Sequence, residues 1–282
     1  MTDPRDAVFG VVAEVASEVR AGLSERRAYE GAENPTGDRQ LAADVYADEL
    51  LEQRLLALDA VGSYASEERE TVSEAADGGS LHVACDPLDG SSNLKSNNSM
   101  GAVVGIYEES APAPGEALVA ACYVLYGPIT TMVTAADGTV TESLVEDGQR
   151  SVLNEDLHLP ADPVVYGFGG RIPDWTDPFR AYVDDIEADR LKLRYGGAMV
   201  ADVNQVLTYG GIFGYPMLKD RPEGKLRLQF EAHPIAYVIE TAGGASSDGQ
   251  QSLLALTPDN LHQRTPLFVG NESLIDRLER AL

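Results

Sequence analysis

Residues 81–94 read LHVACDPLDGSSNL. An apolar run with the composition of a strand ends in Asp86-Pro87-Leu88-Asp89, and Gly90, Ser91, Ser92 and Asn93 follow at once. Proline and glycine turn the chain here, so two carboxylates three residues apart can converge on one point. The small residues after them let backbone N–H groups face an anion. This pattern suits hard cations beside a phosphate, with oxygen ligands on one side and N–H and hydroxyl donors on the other.

Upstream of this stretch, Val8, Val12, Val15, Val19 and Leu23 recur at helical spacing and predict an amphipathic helix over residues 4–24. EGAENPTGDRQ (30–40) is polar and punctuated by Asn34-Pro35 and Gly37, which predicts an irregular loop. A second helix is expected over 39–58, burying Leu41, Val45, Leu51, Leu55 and Leu58, with Asp38 at its entry and Asp44 in its first turns. Taken singly, each of these acids is explained by the positive end of a helix. A short strand then leads to Ser66-Glu67-Glu68, where adjacent acids alone would read as a solvated face. Downstream, 101–107, 118–126, 129–135 and 139–145 read as strands, the last three a meander turned by Gly127-Pro128 and Asp137-Gly138. The first half is therefore two helices and a largely antiparallel sheet.

The chain changes character across the polar stretch 149–159, and beyond it strands and helices alternate. Strands are expected at 164–168, 191–195, 212–215, 225–230, 253–256 and 266–269. Helices are expected at 177–188, 199–209, 234–241 (closing on Gly243-Gly244) and 272–282. The fold class is α/β, an α+β layering, with one domain over 1–152 and a second over 153–282.

The composition narrows the function. No stretch of 18 apolar residues occurs and the first residues carry no basic-then-apolar leader, so a soluble cytoplasmic protein is expected. Cys85 and Cys122 are the only cysteines, both in apolar runs, and read as buried free thiols. The formal charge of −25 argues against a nucleic-acid partner. Among the 21 basic residues, lysine occurs only at 95, 192, 219 and 225, a balance that points to a protein working in high salt. Against that background residues 192–227 stand out, with six basic residues against three acidic, and read as an anion-binding wall.

Asp38, Asp44, Glu67, Glu68, Asp86, Asp89 and Glu231 form the candidate carboxylate set. Gathered together, these acids would repel one another strongly unless divalent cations neutralised them. Oxygen-only donors favour magnesium or manganese over zinc. Of the four histidines only His233 lies in such a neighbourhood, and it reads as structural beside Pro234.

The DPLDGSSN run resembles the metal-dependent, lithium-sensitive phosphatases that include the inositol monophosphatases. RYGGAMVADVNQVLTYGGIFGYP (194–216) and GKLRLQFEAHPIAYVIETAGG (224–244) are more specific and resemble the sugar-binding half of the class I fructose-1,6-bisphosphatases. TGDRQLAAD (36–44) and SEE (66–68) fit that family in order, so the resemblance spans residues 35–282. It implies a sugar phosphatase fold of alternating α-β-α-β-α layers, with a largely antiparallel first sheet and a mixed second one. It implies hydrolysis of the 1-phosphate of fructose 1,6-bisphosphate, by in-line attack of water activated by two or three magnesium (or manganese) ions.

Residue by residue, the resemblance gives Glu67, Glu68, Asp86, Asp89, Glu231 and the Leu88 carbonyl as metal ligands. Asp44 and Glu68 would orient the water and take its proton, and Asp38 would belong to a closing loop. The reacting phosphate would meet Asp89, Gly90, Ser91 and Ser92. The far phosphate and sugar would meet Asn154, Arg194, Tyr195, Tyr215 and Lys225. The residue matching Arg194 reaches a neighbouring subunit in the family, which implies a homodimer or homotetramer.

Several positions depart from the family. Ser80, Leu81 and Glu108 replace AMP contacts of animal members, so no AMP inhibition at that site is expected. Leu157 replaces a phosphate-contacting tyrosine, Ala198 a serine, and Lys95 an acid. Sedoheptulose-1,7-bisphosphatase shares every element of this reading and is the nearest alternative. An inositol monophosphatase would need no second basic pole, and a catalytically dead cation-binding protein would not keep Asp44 and Glu68.

Overall fold

Asp3 starts the first helix, α1 (Pro4–Gly22): its carboxylate accepts the Arg5 N–H at 2.9 Å, and proline opens the first turn. The computed structural model describes residues 3–27, 29–33, 35, 39–76 and 78–282, so the expected loop position of Asp38 lies outside the described residues. Where an irregular loop is expected, β1 (Tyr29–Glu33) pairs antiparallel with β2 (Arg39–Leu41). Pairing with β1 holds 39–41 extended, so α2 (Ala42–Leu55) starts three residues later than its apolar spacing suggests. Asp44 fixes that start, accepting the Leu41 N–H at 2.7 Å.

The first sheet has eight strands: β3 (Val61–Ser66), β4 (Ser73–Glu74), β5 (Leu81–Asp89), β6 (Met100–Tyr107), β7 (Leu118–Tyr126), β8 (Thr130–Ala136), β9 (Thr139–Glu146) and β10 (Gln149–Asn154). Their order is β10-β9-β8-β7-β6-β5-β3-β4, and every pair is antiparallel except β3 with β5. Beyond it come β11 (Val165–Phe168), α3 (Asp177–Glu187), β12 (Lys192–Leu193), α4 (Met199–Tyr209), β13 (Gly211–Tyr215) and β14 (Leu226–Arg227). The chain ends with α5 (His233–Thr241), β15 (Ala245–Ser247), β16 (Arg264–Thr265), β17 (Leu267–Gly270) and α6 (Glu272–Ala281). The second sheet, β12-β11-β13-β17-β15, is mixed: β11 is parallel to both neighbours, while β17 is antiparallel to both of its own.

Three apolar clusters define the layers. α1 and α2 pack on one face of the first sheet through residues such as Val12, Val19, Leu51 and Val104. α4 and α5 lie between the two sheets, with Val203, Ile235 and Ile239 meeting Val103 on one side and Phe213 on the other. α3 and α6 cover the outer face of the second sheet around Phe179, Phe268 and Leu278. The result is the α-β-α-β-α layering that the resemblance implies, each apolar face buried against the next. Both thiols are free and buried.

Two expected strands take other forms. Residues 225–230 extend only through β14. The backbone then widens into a π-helical turn, Leu228–Ala232, and the Arg227 N–H at its start donates to the Glu231 carboxylate four residues on, at 2.6 Å. Residues 253–256 form a 3-10 turn, Leu253–Ala255, started by the Ser252 hydroxyl on the Leu254 N–H.

Candidate active site

The one parallel pair of the first sheet brings two acidic segments together. Ser66 of β3 lies opposite Cys85 of β5, and the Glu67 N–H continues the ladder by donating to the Cys85 carbonyl at 3.0 Å. Glu67 and Asp86 therefore follow the same rung. In a regular strand Asp86 and Asp89, an odd number of residues apart, would point to opposite faces. The register against β6 shifts between them, from Asp86 opposite Val103 to Asp89 opposite Gly101, and this bulge turns both inward. The π-helical turn supplies Glu231. One ligand oxygen each from Glu67, Asp86 and Glu231 lie within 4.8 Å of one another, all three residues buried.

Three carboxylates so close and so dry resist ionisation together. Burial, then the charge of Glu67, pushes Glu231 up to about 8 against the opposing Arg227. Burial, with the charges of Glu67, Asp89, Glu231 and Glu68, drives Asp86 well above the usual carboxylate range. Among the described residues one cation is seen to face the cluster: the buried Arg227 guanidinium, 3.1 Å from Glu67. A single guanidinium leaves the charge of the set uncompensated, and the donors are all hard oxygens, so these residues fit divalent cations.

Beside the cluster the chain turns at Gly90, which holds the left-handed conformation (φ 72°) and opens a 3-10 turn, Ser91–Leu94. The leading N–H groups of such a turn have no partner within it. Burial raises Asp44 to about 6, opposed by the Leu41 N–H and the Ser91 side chain, which hydrogen-bonds to it; the charge of Glu67 adds to the rise. Asp89, also raised to about 6 by burial, accepts the Val200 N–H at 2.7 Å, tying the turn to the start of α4. Leu88 is buried and donates its N–H to Asp86 at 2.9 Å. Glu68 is half-buried, its N–H on the Ser66 hydroxyl at 3.2 Å.

A second pole meets this one at Asp89. The positive charge of Lys225 acts on Asp89 and opposes the rise that burial causes, and the Lys225 ammonium lies 5.1 Å from the centre of the Tyr215 ring. The Tyr215 hydroxyl is 3.2 Å from that of Tyr195, and Tyr215 is raised well above its ordinary value by burial, with the Tyr195 and Asp89 charges adding. Arg194 is exposed beside them, donating to the Leu193 carbonyl. Asn154 is exposed at the end of β10 with its side chain on the Asp156 N–H; among the described residues no contact links it to Tyr195, Tyr215 or Lys225. The basic wall read from the charge count thus divides. Lys219 pairs with Asp177 at 3.1 Å and Arg227 turns inward to Glu67, leaving Arg194 and Lys225 on the tyrosine side.

Sequence reasoning gave no role to Arg227 beyond the basic segment, and none to Asp48, Asn93 or Asp202. Asn93 donates to the Ser99 and Gly196 carbonyls, and Asp202 accepts the N–H groups of Gly196 and Gly197; together they fix the Gly-Gly turn beside the 3-10 turn. Nothing in local sequence separates an inward arginine from an outward one. Leu157 packs against the central core and Ala198 lies against Gly90. The Lys95 carbonyl accepts Arg27, which leaves its side-chain change unexplained.

The chain matches two family models, the N-terminal domain of fructose-1-6-bisphosphatase over residues 8–150 and the C-terminal domain over 159–282. A class 1 fructose-1,6-bisphosphatase of Natronomonas pharaonis is 68% identical over 100% of both chains, and one of Halobacterium salinarum is 59% identical over 100% of this chain and 98% of its own. Among solved structures, Leishmania major fructose-1,6-bisphosphatase in its holo form superposes with a TM-score of 0.93 at 27% identity, covering 99% of this chain and 94% of that one. The carboxylate cluster, the 3-10 turn after Gly90 and the tyrosine pole lie within the two matched regions, and the chain belongs to the fructose-1,6-bisphosphatase family.

Proposed function

We propose that this protein hydrolyses the 1-phosphate of fructose 1,6-bisphosphate to give fructose 6-phosphate and inorganic phosphate. The observation that carries this is the meeting of two unlike poles at Asp89. Buried carboxylates that need cations stand on one side, and Lys225 with Tyr195 and Tyr215 stands on the other. A substrate with two separated phosphates matches both at once.

Glu67, Glu68, Asp86, Asp89, Glu231 and the Leu88 carbonyl would hold two or three divalent ions, magnesium or manganese. When bound, these ions supply Lewis-acid activation of water and neutralise the phosphoryl group. The chain's own residues do the rest. Ser91, Ser92 and the N–H groups after Gly90 hold the reacting phosphate. Asp44, brought by burial close to the pKa at which a carboxylate accepts a proton near neutrality, acts with Glu68 to orient the attacking water and take its proton. By the family resemblance Asp38, outside the described residues, would belong to a loop that closes over them. Lys225, Tyr195, Tyr215, Asn154 and Arg194 hold the sugar and far phosphate, Arg194 from a neighbouring subunit of a homodimer or homotetramer. The domains run over 1–152 and 153–282. Among the described residues no helix is long and apolar enough to cross a membrane, and we place the enzyme in the cytoplasm.

Phosphate release in molar KCl, with and without magnesium or manganese, from fructose 1,6-bisphosphate, sedoheptulose 1,7-bisphosphate and inositol monophosphate tests the reading. Turnover should need the cation and favour the fructose substrate. Sedoheptulose bisphosphate is the rival that a shared architecture keeps in play: a structure assigned as sedoheptulose-1,7 bisphosphatase from Toxoplasma gondii superposes with a TM-score of 0.87 at 28% identity. Glu68→Gln should lower kcat by about 10²-fold or more; full turnover in that variant would sink the proton-transfer role.

A further inference from the structure

A second polar network lies behind the carboxylate cluster. Asp48, on α2 one turn beyond Asp44, is buried and is gripped from two directions. Its Oδ2 pairs with Arg69 Nε at 2.7 Å, and its Oδ1 accepts the Tyr64 hydroxyl at 2.9 Å. Arg69 also pairs through Nη1 with Glu52 at 2.6 Å, one further turn along the same helix. Tyr64 in turn accepts the Cys85 thiol at 3.1 Å. The Arg69 carbonyl is bound from the C-terminal half by His262 Nε2 at 2.8 Å, which must donate because a carbonyl only accepts.

The partners of Asp48 end beside proposed ligands. Arg69 directly follows Glu67-Glu68, and Cys85 directly precedes Asp86. A buried ion pair contributes little net stability, because desolvation offsets the attraction, so its placement calls for a different account. Groups that hold metal ligands in place from behind are one such account, and their loss typically costs about 10–100-fold in metal affinity. We propose that Asp48 is a positioning residue: through Arg69 it holds the Glu67-Glu68 segment, through Tyr64 and Cys85 it holds the approach to Asp86, and the spacing so fixed sets the affinity for divalent cations. The inference rests on the ligand reading given under the proposed function.

The test is manganese binding to the full-length, substrate-free protein in molar KCl, followed by electron paramagnetic resonance, with the thermal midpoint of each variant measured alongside. Arg69→Met is expected to weaken binding by about tenfold or more. Arg69→Lys, which keeps the charge on Asp48, should recover part of the loss, and Asp48→Asn should fall between. Ser73→Ala removes the other contact to Glu52, a hydrogen bond of 2.6 Å, without touching either ligand segment; it should lower the midpoint while leaving manganese affinity unchanged. Wild-type affinity in Arg69→Met overturns the inference, as does an equal loss in Ser73→Ala. If Arg69→Met does not fold, Asp48→Asn and Arg69→Lys decide by the same criterion. Asp86→Asn separates the two levels: intact binding there overturns the ligand reading itself, whereas its loss beside unaffected Arg69 and Asp48 variants overturns only the positioning role.

Discussion

Glu231 shows how burial turns an ordinary side chain into one that responds to cations. Raised to about 8 by burial and the charge of Glu67, and titrating together with Asp86, which burial also raises, it belongs to a cluster that holds a proton at pH 7 in the cation-free protein. A ligand must be ionised to bind metal, so binding expels that proton. Calorimetry in buffers of differing ionisation enthalpy should show about one proton or more released per chain at pH 7, with affinity rising between pH 6 and 8. The stability of the cation-free protein follows the same sign. The folded state binds this proton more tightly than the unfolded chain, whose value is near 4.5, so its stabilising effect is full below that value and is lost as pH rises through about 8. In chelator, the urea midpoint should therefore fall from pH 6 to pH 8. Glu231 stands with Asp86 in the candidate carboxylate set, but its role as a ligand was legible only through family resemblance, because more than 100 residues separate them. Arg227, Asp48 and Arg69 were not legible at all: an arginine or aspartate directed inward has the same local sequence as one directed to water.

Among the elements, the corner between β5 and the 3-10 turn after it leaves little room for a side chain. Gly90 holds φ 72°, and a Cβ there would stand 2.3 Å from the Ala198 Cβ and 2.9 Å from its Cα, at the N-terminus of α4. Gly90→Ala should cost about 1–2 kcal/mol for the left-handed backbone alone and more for the contact. Its thermal midpoint should fall and its turnover should collapse together, because the same contact sets the distance between the two poles. Helix α4 was legible to the residue, since its apolar spacing runs unbroken into the Gly210-Gly211 stop. The β7–β9 meander was also legible through its two turns. Residues 225–230 were misread because all of them from Leu226 on are buried, and a run buried on every side has no period to reveal a widened turn. The hairpin of β1 and β2 was missed for a different reason: tertiary pairing outweighs the weak helical spacing of residues 39–41.

Across the whole molecule, 46 acidic residues face 21 basic ones, and many of the arginines are spent on local pairs such as Arg54 with Glu18 and Arg150 with Asp6. The remaining self-repulsion is long-ranged in dilute buffer, where the screening length reaches about 30 Å, and short-ranged in molar salt at about 3 Å. The thermal midpoint should rise from dilute to molar KCl by at least roughly 2–4 °C, the shift that about 1 kcal/mol produces in a domain of this size class. A flat curve would show that the acidic surface has no such role. The charge balance was legible in composition alone. Composition could not show that the positive segment splits, with Lys219 drawn to Asp177 and Arg227 to Glu67.

The parallel pairing of β3 with β5 has a consequence for how this chain tolerates length change. Past Arg69 and Ser73 the crossover between those strands reaches an exposed stretch beyond β4, at Ala76 and Gly78, where insertions would alter a surface path and little else. One residue added within Val61–Ser66 or Leu81–Cys85 would instead shift that strand's terminal acid by one rung and reverse every side chain beyond it. Drift in chain length is thus confined to one side of the ladder, and the other works as a ruler, marked off in peptide units, with Glu67 and Asp86 at the same graduation.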